Sequence, residues 1–327
     1  MISVAMASYN GQEFIKEQLD SILNQEIDEE LEVVICDDCS KDQTRQILKE
    51  YADKDPRIKA FYNEQNLGFM DNFSKAISLC QGNLIALADQ DDLWPQGRLQ
   101  ALKEKLGQKA FVCSNALLVD QNNRELGMTM KEVCNYKWVP ENSFKLLKHQ
   151  VHINLVQGST ILAQASFLKE SLPIPQEIGF HDYWFSFKAL SKEGFAYLDQ
   201  CSLRYRRHQA TVTESDKEQS FSKDQREHVS TNEERELYLK NNQERIKILT
   251  FILEKLDWGK REESFLRKTI KYYQSLNDKN LYSLVYFIAN CKYIYLDKNI
   301  IRNFLRICKK TIGLIYWKLY LRRRLTK

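Results

Sequence analysis

Short apolar runs alternate with segments of helical periodicity along the first hundred residues of the chain. The apolar runs predict β-strands at residues 2–7, 31–36, 57–62 and 84–88. Apolar positions at helical spacing predict helices between those strands, at about 14–23, 42–52 and 70–79. This alternation is typical of an α/β fold whose sheet is mostly parallel, doubly wound and Rossmann-like.

The pattern changes after about residue 110 and again after about residue 212. The middle of the chain predicts strands at 111–119 and 158–162, a short helix at 143–147 and a helix opening near Tyr183. Residues 213–236 are polar and almost free of large aliphatic side chains, so they predict a linker. Residues 237–327 predict a helical extension whose apolar periodicity suits either an intramolecular core or a homodimer interface.

Polar clusters follow three of the predicted strands, at the points where those strands end. They are Ser8-Tyr-Asn, Asp37-Asp-Cys-Ser and Asp89-Gln-Asp-Asp. The carboxyl ends of parallel strands meet at one edge of a sheet, where α/β proteins bind their ligands. The clusters therefore locate a candidate site at that edge.

The stretch from Asp89 to Asp92 carries three carboxylates within four positions. Such carboxylates repel one another unless a cation lies among them, and oxygen ligands of this kind suit Mg²⁺ or Mn²⁺. The alternative is a solvated loop in which Asp92 caps the helix that begins near Pro95. Asp37 leaves two roles open, a hydrogen bond to the imide of a pyrimidine base or bonds to backbone N–H groups of its own turn.

The net charge of +4 conceals an uneven distribution of charge along the chain. Residues 298–327 contain ten Lys or Arg and no acidic residue, whereas residues 1–297 contain 38 basic and 44 acidic residues, a net charge of −6. An acidic body argues against nucleic acid as a partner. As a helix, the tail has an apolar stripe beside a basic face, which favours contact with an anionic membrane surface over packing on the protein.

Missing motifs exclude several classes of protein. The chain has no GxxxxGK[ST] loop and no GxGxxG run, which argues against P-loop and dinucleotide-binding enzymes. No apolar run approaches the roughly 18 residues that a membrane-spanning helix needs. The chain also begins without the pattern of a signal peptide, so a cytoplasmic location is expected.

A set of motifs occurs in order along the chain. The first four are Ser8-Tyr-Asn-Gly11, Asp37-Asp-Cys-Ser40, Asn66-Leu-Gly68 and Asp89-Gln-Asp-Asp-Leu-Trp94. The later ones are Gly158-Ser-Thr, His181-Asp182-Tyr-Trp and Tyr205-Arg-Arg-His208. Together, over about residues 1–212, they resemble the inverting glycosyltransferase family 2, which has the GT-A fold. The form of the fourth motif resembles the bacterial rhamnosyltransferase-like branch that builds cell-surface polysaccharides.

This resemblance implies roles for particular residues. It implies a pocket for the donor nucleotide lined by Ser8, Asn10, Asp37 and Asp89. Asp91 and His208 would bind a divalent cation, either Mg²⁺ or Mn²⁺. Asn72 would face the donor sugar, and Asp182 would act as the general base.

The resemblance also implies an activity. The favoured reaction moves rhamnose from dTDP-L-rhamnose, with metal dependence and inversion, to a hydroxyl of a lipid-linked glycan or oligosaccharide in capsule or cell-wall synthesis. A UDP-hexose transferase of the same fold is the first alternative, and a non-catalytic nucleotide-binding scaffold docked on a membrane is the second. In each case the basic tail predicts a peripheral position on the inner face of the cell membrane.

Overall fold

An eight-stranded mixed sheet lies at the centre of the chain. The structure, a computed structural model, describes residues 1–134, 143–208 and 231–278, together with residues 285, 286, 289 and 290. The strands are β1 (Ile2–Ser8), β2 (Leu31–Asp37), β3 (Ile58–Tyr62), β4 (Leu84–Ala88), β5 (Phe111–Val119), β6 (Glu125–Thr129), β7 (Leu162–Gln164) and β8 (Phe195–Arg206). Their order is β3-β2-β1-β4-β7-β5-β6, and β8 pairs with β5 outside this path.

The first four strands form the parallel half of the sheet, as the sequence predicts. β1 lies between β2 and β4 and is parallel to both, and β3 is parallel to β2. β7 runs antiparallel between β4 and β5, while β8 runs parallel to β5. The carboxyl ends of β1, β2, β4 and β8 therefore face the same edge of the sheet.

Helices cover both faces of the sheet because alternate strand residues point to opposite sides. The helices are α1 (Ile15–Leu23), α2 (Thr44–Lys54), α3 (Phe69–Leu79), α4 (Arg98–Leu106), α5 (Met130–Val133), α6 (Ser143–Gln150), α7 (Ala165–Lys169), α8 (His181–Ser191), α9 (Thr231–Lys255) and α10 (Lys260–Asp278). Helices α1, α2 and α4 pack on one face of the parallel strands, in the core that contains Val33 and Ile35. Helix α3 packs on the other face, in the core that contains Val34 and Cys36.

Three parts of the chain differ from the sequence expectations. Residues 158–162 are not a strand, because Gly158–Thr160 forms a single 3-10 turn before the short strand β7. Helix α9 begins at Thr231, inside the segment 213–236 that was expected to be a linker. Strand β8 was not predicted, because its middle residues are exposed and its pairing with β5 shifts register twice, which breaks the regular apolar alternation.

The C-terminal helices α9 and α10 pack against the part of the chain that contains the sheet. Leu249 and Leu266 are fully buried in the same core as helix α8. A buried polar contact joins the Nδ1 atom of His152 to the hydroxyl of Tyr273 at 2.5 Å, and Arg245 donates to that hydroxyl at 3.0 Å. The described part of the extension therefore packs its apolar face against the rest of the same chain. Residues 298–327, the predicted membrane-binding tail, lie outside the described residues.

No helix in the described segments is both long enough and apolar enough to cross a lipid bilayer.

Candidate active site

The acidic loop after β4 is tied to the loop after β1 through the side chain of Gln90. The Tyr9 N–H donates to the Oε1 atom of Gln90 at 2.9 Å, and the Nε2 atom of Gln90 donates to the Tyr9 carbonyl at 3.0 Å. A Cβ atom at position 11 would overlap the Gln90 amide, so a larger residue there would displace Gln90 from these two bonds. The ends of β1 and β4 are thus held together at the predicted site.

Asp91 and His208 meet at this edge although they are far apart in the sequence. The Nε2 atom of His208 lies 3.0 Å from the Oδ2 atom of Asp91, and both side chains are partly exposed. His208 follows the end of β8, and its ring packs against Phe14 with 4.8 Å between ring centroids. The structure therefore brings together the two predicted metal ligands.

Arg206 fixes the backbone of the acidic loop, a role that the sequence analysis did not assign. Its N–H donates to the Oδ1 atom of Asp92 at 3.0 Å, and its Nε atom donates to the Asp91 carbonyl at 2.8 Å. The two terminal nitrogens donate to the Gln121 carbonyl and to the carboxylate of Glu17, each at 2.6 Å. Because an arginine presents its donors in a rigid fork, these bonds define one position for the loop.

Asp92 is buried, and Ser159 links its carboxylate to the buried guanidinium of Arg98. The Ser159 hydroxyl donates to the Oδ2 atom of Asp92 at 2.6 Å, and the Ser159 carbonyl accepts a bond from Arg98 at 2.5 Å. Burial and the neighbouring charges of Asp91 and Asp89 raise the pKa of Asp92 well above its usual value. Burial lowers the pKa of Arg98 to about 9, which still leaves the guanidinium charged at neutral pH. Asp92 is therefore a structural support and not an open ligand.

Asp182 lies at the start of helix α8, within electrostatic reach of the acidic loop. The N–H of Tyr183 donates to its Oδ1 atom at 2.7 Å. Burial raises the pKa of Asp182 to about 7. Burial and the charges of Asp91 and Asp182 raise the pKa of Asp89 to about 7 as well. Carboxylates with pKa values near neutrality that cluster in one place are a common feature of active sites, since they can exchange protons at physiological pH.

His181 fills a closed aromatic pocket beside Asp182. Its ring lies 4.3 Å from the ring of Phe73, and burial lowers its pKa to about 4, so it is neutral. A Cβ atom at Gly158 would overlap the Nε2 atom of His181. The turn at Gly158–Thr160 and the start of helix α8 are therefore in direct contact, and Gly158 permits that close approach.

Replacing Gly158 with alanine is expected to destabilise the protein by about 1–3 kcal/mol and to lower catalytic turnover about 10–100-fold. The added methyl group has to displace His181, which Phe73 confines from the other side, and a shift of His181 moves Asp182. Thermal unfolding and steady-state rates measure the two effects. The control is Gly259→Ala, whose methyl group meets only the flexible side chain of Glu262. Additive effects of Gly158→Ala and His181→Ala in the double variant would contradict this coupling.

Asp37 ends β2 and is fully buried among hydrogen-bond donors. Its Oδ1 atom accepts bonds from the Nε atom of Arg45 at 2.6 Å and from the N–H of Ser40 at 3.1 Å. Its Oδ2 atom accepts bonds from the hydroxyls of Ser40 and Ser8. Asn10 is exposed next to this cluster and donates its N–H to the Ser40 hydroxyl at 2.8 Å. The predicted nucleotide-binding residues Ser8, Asn10 and Asp37 are thus brought together, and Arg45 is an additional member.

Asn72 is buried, and its side chain is hydrogen-bonded within the protein. Its Oδ1 atom accepts a bond from Asn63 at 2.9 Å, and its Nδ2 atom donates to the Cys36 carbonyl at 2.8 Å. Asn63 donates in turn to Asp38, whose carboxylate also accepts the N–H groups of Leu67 and Gly68. This geometry gives Asn72 a supporting role between β2 and α3, and its contact with a donor sugar stays a prediction.

The donor atoms of Asp91 and His208 suit a divalent cation that arrives with a phosphate ligand. Within the described residues, no three His, Cys, Asp or Glu side chains converge into a complete metal site. Mg²⁺ and Mn²⁺ bind nucleotides through one or two protein ligands, with substrate phosphates and water in the other positions. The carboxylate of Asp91 and the imidazole of His208, with the largely buried Asp89 next to them in the loop, fit this requirement.

A family model and several known proteins match this chain. The family model described as glycosyl transferase family 2 matches residues 3–170. An uncharacterized glycosyltransferase of Methanocaldococcus jannaschii is 29% identical over 211 residues, which is 63% of this chain and 70% of the relative. TuaG of Bacillus subtilis, a glycosyltransferase named for teichuronic acid biosynthesis, is 36% identical over 114 residues, or 35% of this chain and 45% of TuaG.

A third relative carries a more detailed name. WfgD of Escherichia coli, named as a UDP-Glc:α-D-GlcNAc-diphosphoundecaprenol β-1,3-glucosyltransferase, is 34% identical over 128 residues. The match covers 38% of this chain and 48% of WfgD. The chain therefore matches less than half the length of the two bacterial relatives, TuaG and WfgD.

Solved structures share the fold. TarS of S. aureus in complex with UDP-GlcNAc has a TM-score of 0.56 at 19% identity, over 84% of this chain and 72% of TarS. The mannosyltransferase PcManGT of Pyrobaculum calidifontis, in complex with GDP-Man and Mn²⁺, has a TM-score of 0.52 at 14% identity, over 94% of this chain and 84% of PcManGT. At such low identities the likeness shows the fold alone, and it confirms the predicted GT-A architecture.

Proposed function

Because the chain belongs to glycosyl transferase family 2, we propose that this glycosyltransferase moves a sugar from a nucleotide donor to a glycan hydroxyl with inversion at the anomeric carbon. The observation that carries the proposal is the meeting of the acidic loop with two distant segments at one sheet edge. Asp91 contacts His208 at 3.0 Å, and Asp182 is close enough to raise the pKa of Asp89. Binding of a diphosphate and deprotonation of a hydroxyl both need groups of this kind in one place.

The proposed reaction is a single displacement. The acceptor oxygen attacks the anomeric carbon while its proton passes to Asp182, and the bond from that carbon to the diphosphate oxygen breaks. A direct displacement with one base inverts the anomeric configuration, as in the one-step mechanism of inverting glycosidases. Asp91 and His208 would hold a divalent cation, which would supply positive charge to neutralise the diphosphate. Arg206 and Asp92 keep the acidic loop in position throughout.

The donor in this proposal is a pyrimidine nucleotide sugar. The sequence resemblance favours dTDP-L-rhamnose, whereas the name of WfgD and the TarS complex favour a UDP-hexose as the alternative. The cluster of Ser8, Asn10, Asp37 and Arg45 would bind the nucleoside. Tyr9 offers a half-exposed aromatic ring beside this cluster, against which a base can stack.

The acceptor in this proposal is a lipid-linked glycan of a cell-surface polysaccharide. The names of TuaG and WfgD support this assignment, because one refers to teichuronic acid and the other to an undecaprenol-linked sugar. An acceptor anchored in the membrane makes attachment of the enzyme to the cytoplasmic membrane surface useful, and the basic segment 298–327 would supply that attachment. A homodimer stays a prediction.

Nucleotide titration by calorimetry tests the proposed function. The ligands are dTDP, UDP, GDP and CDP, each with Mn²⁺ and again with EDTA. We expect dTDP or UDP to bind in a metal-dependent manner, and the product formed from the matching nucleotide sugar should have the inverted anomeric configuration by NMR. Binding of none of the four nucleotides, or retention of configuration, would overturn the proposal.

Removing residues 298–327 is expected to lower the fraction of protein bound to anionic vesicles at least about tenfold, since each basic residue near such a surface contributes about 1 kcal/mol. Sedimentation with vesicles that contain phosphatidylserine measures the bound fraction. A variant with Lys49→Gln and Lys240→Gln is the control, because it removes exposed charge from the described body instead. Equal sedimentation of the truncated and full-length proteins would refute the role of the tail.

A further inference from the structure

Two phenylalanine rings are exposed next to each other at the edge of the candidate active site. Phe69 is 42% exposed and Phe180 is 41% exposed, and their ring centroids lie 6.0 Å apart with 36° between the ring planes. The two rings form a contiguous apolar patch in contact with water. Such a patch is a candidate binding surface. Neither residue has a place in the proposed reaction.

The rings are held in place by the segments that carry them. Phe69 is the first residue of α3, and the N–H of the preceding Gly68 donates to the Oδ2 atom of Asp38 at 2.9 Å. Phe180 directly precedes α8 and follows Gly179, which adopts a φ of 80°. The two segments are linked where the Nε2 atom of Gln176 donates to Asp71 at 3.2 Å. A pair fixed in this way loses little conformational entropy when it binds a ligand.

The pair lies between the two halves of the proposed site. On one side, Phe69 follows the loop whose N–H groups at Leu67 and Gly68 donate to the carboxylate of Asp38. Asp38 is adjacent in the chain to Asp37, which belongs to the nucleoside-binding cluster. On the other side, Phe180 lies two residues before Asp182, and the rings of Phe69 and His181 have 6.4 Å between their centroids and 64° between their planes. The exposed pair therefore belongs to the same segment as the proposed base.

We propose that Phe69 and Phe180 form an acceptor subsite that binds the apolar face of a pyranose ring. This inference rests on the proposed function and adds the class of group that the site recognises. The axial C–H groups of a sugar carry a small positive charge and are attracted to the negative face of an aromatic ring. Asp71 and Gln176, which bond to each other between the segments that carry the rings, are exposed groups that can hydrogen-bond to sugar hydroxyls.

The size and charge of the patch favour a sugar over other occupants. Two half-exposed rings offer on the order of 100 Å² each, whereas a stable protein interface buries about 800 Å² on each partner. An anionic membrane surface is disfavoured because Asp71, in the first turn of the helix that begins at Phe69, carries a carboxylate that repels lipid phosphates. A single sugar ring matches the area of the patch.

Saturation-transfer NMR with defined glycosides tests the subsite. The probes are the methyl glycosides of N-acetylglucosamine, galactose and rhamnose, and octyl glucoside, each with Mg²⁺ and with or without UDP or dTDP. The variants are Phe69→Leu, Phe180→Leu, the double leucine variant and the matching Phe→Tyr variants. Leucine keeps the apolar character and removes the aromatic face, whereas tyrosine keeps that face. Met128→Ala is the control, since Met128 is 44% exposed on β6, outside the proposed site.

We expect at least one methyl glycoside to show saturation transfer concentrated on the C–H groups of one ring face. Each leucine substitution should weaken that signal about three- to tenfold, the double variant should abolish it, and the tyrosine and Met128→Ala variants should retain it. Nucleotide affinity should stay within about twofold in every variant, because the rings do not belong to the nucleoside-binding cluster.

Three results would overturn the subsite. They are a wild-type signal in the double leucine variant, transfer confined to the octyl chain, and the lack of transfer to any methyl glycoside. The first shows that the sugar binds elsewhere, the second shows a lipid site, and the third shows that no pyranose is recognised. The glycosides are also measured without nucleotide, so the test of the subsite does not depend on nucleotide binding. A failed nucleotide titration therefore counts against the proposed function, whereas a failed glycoside measurement counts against the subsite.

Discussion

Replacing Asp182 with asparagine is expected to lower kcat for sugar transfer by about 10²–10⁴-fold, the usual contribution of a positioned general base. Asparagine preserves the size of the side chain and can still accept the bond from the N–H of Tyr183, so the fold should be retained. Nucleotide affinity should also be retained, because the nucleoside-binding cluster lies at the ends of β1 and β2. Steady-state kinetics and calorimetry measure the two effects.

The pH dependence of the wild-type enzyme gives a second measure of Asp182. Burial raises the pKa of its carboxyl group to about 7, and a general base has to be deprotonated to act. We therefore expect kcat/KM to rise with pH and to level off above about pH 7, with a roughly tenfold loss one unit below the pKa. The asparagine variant should have a weaker acidic limb, which comes from Asp89, whose pKa is also raised to about 7.

Asp199→Asn is the matched control for this experiment. Asp199 is an exposed carboxylate that pairs with Lys131 on the surface, and such pairs contribute little to stability. Wild-type turnover in Asp182→Asn, or an unchanged acidic limb in that variant, would remove Asp182 from the role of base.

Replacing Asp91 with asparagine is expected to abolish metal-dependent nucleotide binding and to lower turnover by about 10³-fold or more, since a bound cation stabilises the leaving diphosphate by several kcal/mol. Asparagine keeps an oxygen near His208 but removes the negative charge that attracts the cation. Calorimetry of Mn²⁺ with UDP or dTDP and the paramagnetic resonance of bound Mn²⁺ measure the loss.

The control for Asp91 is Asp53→Asn, which removes a carboxylate that pairs with Lys49 on an exposed helix face. Thermal unfolding should be unchanged in the control. It should change little in Asp91→Asn, because the loop stays bonded to Arg206 through the backbone carbonyl of residue 91. Metal-dependent nucleotide binding in Asp91→Asn would show that the cation is held elsewhere.

Arg206 and Arg98 supply positive charge that offsets the repulsion within the acidic loop. Three neighbouring carboxylates would repel one another in an open loop, and burial makes the charge on Asp92 still less favourable. The guanidinium of Arg206 donates to the backbone carbonyl of Asp91 in the loop. The buried guanidinium of Arg98 donates to the carbonyl of Ser159, which lies next to the loop. Both groups place positive charge near the carboxylates. These bonds fix the position of the loop, and polar groups held in fixed positions stabilise charge at a lower cost.

Local sequence patterns were sufficient to predict the parallel half of the sheet. Strands β1, β2 and β4 are buried and mostly apolar, and each is followed by a helix with one apolar face. The polar clusters after β1, β2 and β4 could be placed at one edge, because the direction of a parallel strand determines where its end lies. The motifs around Asp89 and Asp182 could likewise be identified from their order along the chain.

Contacts between distant segments could not be predicted in the same way. β8 has exposed residues in its middle and shifts register against β5, so its pattern is weak, yet it carries both Arg206 and His208 to the acidic loop. The turn at Gly158 resembles a strand in sequence and is determined by its contact with His181. The exposure of Phe69 and Phe180 also depends on how α3 and α8 meet.

Hydrophobic periodicity and turn residues were therefore sufficient to predict the element order, the parallel strands and the edge of the sheet that carries the candidate site. These features depend on patterns within short segments of the sequence. Packing of the whole chain determined which carboxylate is buried, which is exposed and which pKa values shift to about 7. Those properties depend on solvent exclusion and on charges from segments far apart in the sequence, such as Asp91 and His208, which meet only in the folded protein.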